Sequence, residues 1–77
     1  NVVSIGEMYV NSGRVKQGLE VLRDVYQDAR RTKSIHSHQH ALNALIAVYT
    51  RLKDFKTANQ YLVELIRIKD SLQSQVY

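Results

Sequence analysis

Two copies of one pattern stand forty residues apart in this chain: Tyr9 falls on Tyr49, Val15 on Phe55, Gly18 on Ala58, Leu22 on Leu62 and Val25 on Leu65. A candidate turn at Gly13 and Arg14 likewise falls on Lys53 and Asp54. A chain that repeats in this way builds the same unit twice, and since so short a unit cannot bury its apolar face alone, the units must stack. Within each unit the spacing is helical. Val15, Leu19, Leu22, Val25, Tyr26 and Ala29 recur three or four apart, and so do Leu42, Leu45, Ile46, Tyr49 and Leu52. Phe55, Ala58, Leu62, Leu65, Ile66, Lys69 and Leu72 continue the spacing, and Val2, Ile5, Met8 and Tyr9 form a shorter set at the start. Each set occupies one helix face, and no comparable stretch alternates as a strand does.

The breakers agree with this reading. The chain has no proline and three glycines in 77 residues, so it can run as long helices, with turns at Asn11–Gly13, Thr32–Ser34 and Arg51–Asp54. The expectation is an all-α fold with helices over Val2–Asn11, Val15–Arg30, Ser37–Leu52 and Phe55–Ser74, consecutive helices antiparallel. They make one domain over 1–77, a solenoid or α-α superhelix fragment of two helix-turn-helix repeats, about 1–36 and about 37–77. In each repeat the small residue, Gly18 or Ala58, lets the second helix approach the first, and Tyr9 or Tyr49 fills the space beside it. Leu22, Phe55 and Leu62 complete the expected repeat packing.

These residues carry a family resemblance. The second unit, through Ala41-Leu42-Asn43-Ala44-Leu45-Ile46-Ala47-Val48-Tyr49, Asp54-Phe55, Ala58, Tyr61-Leu62 and Leu65, resembles a tetratricopeptide repeat. The first matches through Ile5-Gly6, Tyr9, Gly13, Gly18, Leu22 and Val25, so the resemblance covers nearly the whole chain. Two features depart from the family: the standard repeat is about 34 residues long, and its proline between repeats is missing. An extra turn on the second helix, through Arg30, accounts for both. Lengthened repeats of this kind resemble those of signalling and regulatory proteins, including bacterial regulators whose last helix ends in Lys-Asp-Ser-Leu, as Lys69 to Leu72 reads here. The resemblance implies a protein-protein interaction module or scaffold, binding a peptide or partner helix inside a larger regulatory protein. A second resemblance, through Asn43-Ala44-Leu45-Ile46 and Tyr49, is to pentatricopeptide repeats, which read single-stranded RNA. It ranks below the first, whose regulatory members have lengthened repeats of this kind, and no proline closes either unit.

Composition narrows the partners. With 44% hydrophobic and 23% charged residues the chain is ordinary globular material. Lacking Cys, it has no disulfides, a state compatible with cytosol and periplasm alike. Eleven Lys and Arg against seven Asp and Glu give a net charge of +4, a weak attraction to anions. Only Arg30, Arg31 and Lys33 cluster, whereas a nucleic-acid footprint gathers basic residues on one face, so nucleic acid is an unfavoured partner. The longest run free of charge, Ser34 to Thr50, contains three His, Gln39 and Asn43, which excludes a bilayer-spanning segment there. A start at Asn1, within a hydrophobic pattern and without a signal peptide, reads as an excised segment with missing flanks. Flanking repeats, or self-association through the terminal helices, are then expected to cover the apolar ends, with Leu65, Ile66, Ile68, Leu72, Val76 and Tyr77 at the open end.

Constellations that could carry chemistry are few. His36 and His40 share a helix face, and with His38 they invite a metal reading. However, the cluster sits at a loop-to-helix junction with no Cys in the chain and no Asp or Glu between Asp28 and Asp54, so no metal or cofactor is expected. Glu20, Asp24 and Asp28 form an acidic stripe flanked by Lys16, Arg23 and Arg31, a solvated face rather than a carboxylate pair in a cleft. No Gly-rich elbow exposes a nucleophile and the glycines make no phosphate loop; no enzyme activity is expected. The tetratricopeptide resemblance implies a concave groove lined by the first helix of each pair, and its partner-binding candidates are Glu7, Asn11, His40, Asn43, Ala47, Thr50 and Arg51. A carboxylate clamp known in that family would need Lys and two Asn where Val3, Glu7 and Ala44 stand, which disfavours a chaperone-tail adaptor.

Overall fold

The computed structural model describes residues 2–74 and is all-α. Helix α1 spans Val2–Asn11, α2 Val15–Arg31, α3 Ile35–Arg51 and α4 Phe55–Ser74, with no strand among the described residues. Three of these match the sequence expectation within a residue. Helix α3 starts two residues earlier than expected, at Ile35, because the turn before it closes in three residues. Val76 and Tyr77, two of the expected open-end residues, lie outside the described residues, as does the side chain of Leu72.

One turn geometry is used three times. The amides of Arg14, Ser34 and Asp54 donate to the carbonyls of Tyr9, Ala29 and Tyr49 at 2.8, 2.9 and 2.9 Å. In each case the preceding residue is left-handed, Gly13 at φ 87°, Lys33 at φ 57° and Lys53 at φ 62°. This double closure satisfies carbonyls that a helix end otherwise leaves bare. Glycine adopts the conformation freely, whereas a lysine there costs about 1 kcal/mol. Asp54 then caps α4, its Oδ1 accepting from the amide of Thr57 at 3.3 Å.

The two hairpins, α1 with α2 and α3 with α4, stack through α2 against α3, and α1 lies beside α3. Their shared core is Val3, Val10, Leu22, Ala44, Leu45, Val48, Tyr49 and Ala58, with Val15, Leu19, Val25, Tyr26 and Tyr61 partly buried against it. Gly18 does hold two helices close. A Cβ there would lie 2.5 Å from Val10 Cγ2 and 2.6 Å from the Gly6 carbonyl oxygen, so α1 and α2 approach backbone to backbone. Ala58 is buried at the equivalent place, Tyr49 is buried and Tyr9 half-buried. Phe55 and Leu62 correct the expectation. Both are exposed, because α4 packs chiefly on α3, reaches α2 only through Tyr61 and Glu64, and is covered on its other side by no helix among the described residues.

Tyrosines and a few polar groups tie α2, α3 and α4 together. Arg23 donates to the Tyr49 hydroxyl at 2.7 Å, and this bond holds its guanidinium above the usual pKa. Tyr49 stacks on Tyr61 with centroids 5.8 Å apart, and Tyr61 meets Tyr26 edge-on at 5.7 Å. The Tyr26 hydroxyl donates to the Glu64 carboxylate, at 2.6 and 2.8 Å from its two oxygens. Burial, reinforced by that carboxylate, pushes the Tyr26 phenol up to about 12. Burial and then the neighbouring Tyr49 also raise the Tyr61 phenol. His38 packs on Tyr26 with ring centroids 5.2 Å apart, and its Nε2 lies 3.5 Å from Glu64 Oε1. The two approach without the alignment of a hydrogen bond, leaving the buried Nε2 without a hydrogen-bond partner among the described residues.

Candidate functional site

Helices α1 and α3 enclose an open groove of about 300 Å³. Because α1 and α3 hold the same place in successive hairpins, residues forty apart meet across it. Glu7, Asn11, His40, Asn43, Ala47 and Arg51, six of the seven candidates, line it together. Thr50, the seventh, does not: its hydroxyl donates back to the Ile46 carbonyl at 2.7 Å, as a helical threonine does when no outside acceptor competes. The floor is apolar, made of Val10, Ala44, Ala47 and Val48. Ala44 and Val48 are not among the partner-binding candidates, and both are buried. Their signal was positional, since Asn43, Ala44, Ala47, Val48 and Arg51 recur three or four apart on one stripe of α3.

The groove's charges are set by two residues. Arg51 Nη1 donates to Asn11 Oδ1 at 2.5 Å, which fixes the guanidinium at one end while leaving most of its donors unused. It forms no ion pair with a carboxylate among the described residues. Glu7, one helical turn before Asn11, has no cation partner among them either. Asn43 adds a side-chain amide with both donor and acceptor. At this volume the groove matches only the smallest ligand pockets. Its open shape suits side chains presented by an extended or helical segment.

A second cavity, of about 430 Å³, lies on the other side of His40 and is lined by Val2, Val3, Val25, Asp28, His36, Ser37 and His40. His36 and His40 of α3 and Asp28 of α2 all line it. Asp28, however, pairs with Arg31 at 2.5 Å, and among the described residues no three His, Cys, Asp or Glu converge in a way that could hold a metal ion. His38 turns away to the Tyr26 and Glu64 cluster. Of the acidic stripe, Glu20, Asp24 and Asp28 are all exposed, and Arg23 bonds Tyr49 instead of an acid. No described helix is long and apolar enough to cross a membrane. No protein-family model, curated protein or solved structure matches the chain.

Proposed function

We propose that this chain is a protein-protein interaction module of tetratricopeptide type, with repeats lengthened to about forty residues, serving a larger regulatory or scaffolding protein. It binds a peptide segment or a partner helix in the groove between α1 and α3, by shape and hydrogen bonding and without covalent chemistry or a cofactor. The observation that carries this reading is the pair of unspent charges, Arg51 and Glu7, over an apolar floor. A ligand that places a carboxylate at Arg51 and a cation at Glu7 satisfies both ends of the groove, and a small apolar side chain between them covers Ala44 and Ala47. A nucleic-acid backbone fits less well, because Glu7 repels phosphate and Arg51 is the one formal cation lining the groove among the described residues.

The reading is tested by selecting binders from a displayed library of random peptides and retitrating the winners against Ala47→Arg. Ala47 is exposed on the groove floor, so the arginine fills the groove while the helix stays intact. The expected result is loss of most selected peptides, with enrichment of sequences that pair an acidic with a basic residue. Selected peptides that bind Ala47→Arg as well as the parent chain would place recognition elsewhere.

A further inference from the structure

The groove between α1 and α3 is graded along its length. Asn11 and Arg51, each the last residue of its helix, meet at one level through their hydrogen bond. Glu7 and Ala47, equivalent in the repeat, lie one turn further in, about 6 Å by helical rise, and Asn43 lies a turn beyond Ala47. Of the described lining residues only Glu7 and Arg51 carry a formal charge. These two charges therefore stand on opposite walls and one helical turn apart, with the apolar floor between them. Neither wall offers a backbone ladder, because α1 and α3 spend their amides and carbonyls within their own helices. An extended segment pressed onto Val10, Ala44, Ala47 and Val48 would leave groove-facing backbone groups unpaired, with little beyond the Asn43 amide to compensate. A helix arrives with its backbone already satisfied. The alanines on the floor let its axis come within the usual packing distance, about 8 to 10 Å, and a helix repeats one face every four residues, the interval that separates Arg51 from Glu7.

From this we infer that the groove takes an α-helix of a partner protein that presents an acidic residue to Arg51 and, four residues later, a basic residue to Glu7. It rests on the groove being the working surface. The bound helix runs antiparallel to α1 and α3. That direction follows from two preferences: an acid N-terminal to a base is the stabilising order within a helix, and the positive N-terminal end of the ligand then lies by the C-terminal ends of α1 and α3. A second copy of this chain does not supply the pattern. None of its seven Asp and Glu is followed four positions on by Lys or Arg. Further repeats stacked on either end would lengthen such a groove instead of filling it, which leaves a segment of another protein as the occupant.

Four labelled synthetic peptides test it, each of about 18 residues, or five helical turns, titrated onto the full chain by fluorescence anisotropy. One is an alanine- and glutamine-rich helix with Glu followed by Lys four residues on. The others reverse that order, space the pair two apart, or keep the pair and add a central proline. The first is expected to bind best. The spacing and proline peptides should each bind at least about tenfold more weakly, the one losing a charged contact and the other its helix. The reversed peptide should bind about threefold more weakly, since it keeps its contacts only by docking against the dipoles. Glu7→Lys combined with Arg51→Glu should invert the preference for charge order; both positions are exposed, and circular dichroism checks that the fold is kept. A nitroxide on the N-terminus of the first peptide should broaden amides near Arg51 before those near His40. Equal affinity for all four peptides overturns the inference, as does broadening centred on His40. Library-selected peptides that are lost on Ala47→Arg yet tolerate a central proline overturn the helix and leave the groove standing, whereas peptides indifferent to Ala47→Arg remove both.

Discussion

Arg51 donates to the side-chain oxygen of Asn11 at 2.5 Å, and the two residues occupy the same position in successive repeats. The repeat thus makes a cross-groove contact out of two residues that are distant in the chain. Both are exposed, and an exposed polar contact contributes little to stability. Arg51→Ala is therefore expected to change unfolding free energy by less than about 1 kcal/mol, while weakening a groove-bound acidic peptide at least tenfold, as losing a charged hydrogen bond of about 1.5 to 3 kcal/mol implies. Denaturant melts and peptide titrations of the same variant check the two halves. Asn43→Ala is expected to follow the same pattern more mildly.

Gly18 is a packing position. A methyl group there meets Val10 Cγ2 at 2.5 Å and the Gly6 carbonyl oxygen at 2.6 Å, and one of those contacts is backbone. Gly18→Ala is expected to destabilise the chain by about 1 to 3 kcal/mol as an overpacking change, despite alanine's better helix propensity. A melting temperature at or above that of the parent would mean that α1 and α2 are not in backbone contact.

Lys33 and Lys53 hold left-handed conformations at φ 57° and 62°, where Gly13 serves the equivalent turn. Replacing each by glycine removes a steric cost of about 1 kcal/mol per site and adds back some unfolded-chain entropy. Lys33→Gly and Lys53→Gly are each expected to raise stability by a few tenths of a kcal/mol to about 1 kcal/mol, additively, since the turns lie in separate places. Thermal melts of the single and double variants measure this.

Tyr26 gives the fold a base limit. Its phenol is held neutral up to about 12 in the folded chain against about 10 in the unfolded one. The folded state therefore keeps a proton that the unfolded state releases. Stability falls as pH rises through that window and is unaffected by this group below it. Tyr26→Phe should remove this share of the alkaline decline, at the cost of the hydrogen bond to Glu64. The check is a set of denaturant midpoints at neutral pH and between about pH 10 and 12. An alkaline decline unchanged in Tyr26→Phe would assign it to other groups.

Helix positions were legible in the sequence because apolar spacing reports directly which residues share a face. Helices α1 and α4 fall where the spacing of Val2 to Met8 and of Phe55 to Leu72 puts them. The same spacing misjudged Phe55 and Leu62, since it tells which face a repeat buries and says nothing about whether a helix is present to cover it. Groove residues were legible as positions in a repeat; Thr50 failed because a hydroxyl can satisfy itself on its own helix. The Tyr26, His38 and Glu64 cluster was not legible at all. It joins three helices across long sequence separations, and periodicity does not choose which polar groups meet.

Where a bound peptide sits decides whether the groove is the working surface. Amide chemical shifts of the isotope-labelled chain, followed while a library-selected peptide is added, report this residue by residue. The expected result is that the largest changes fall on Glu7, Asn11, Asn43, Ala47 and Arg51, and that Arg51→Ala reduces them. Changes confined to the outer faces of α2 and α4, with the groove amides unmoved at saturation, would contradict it.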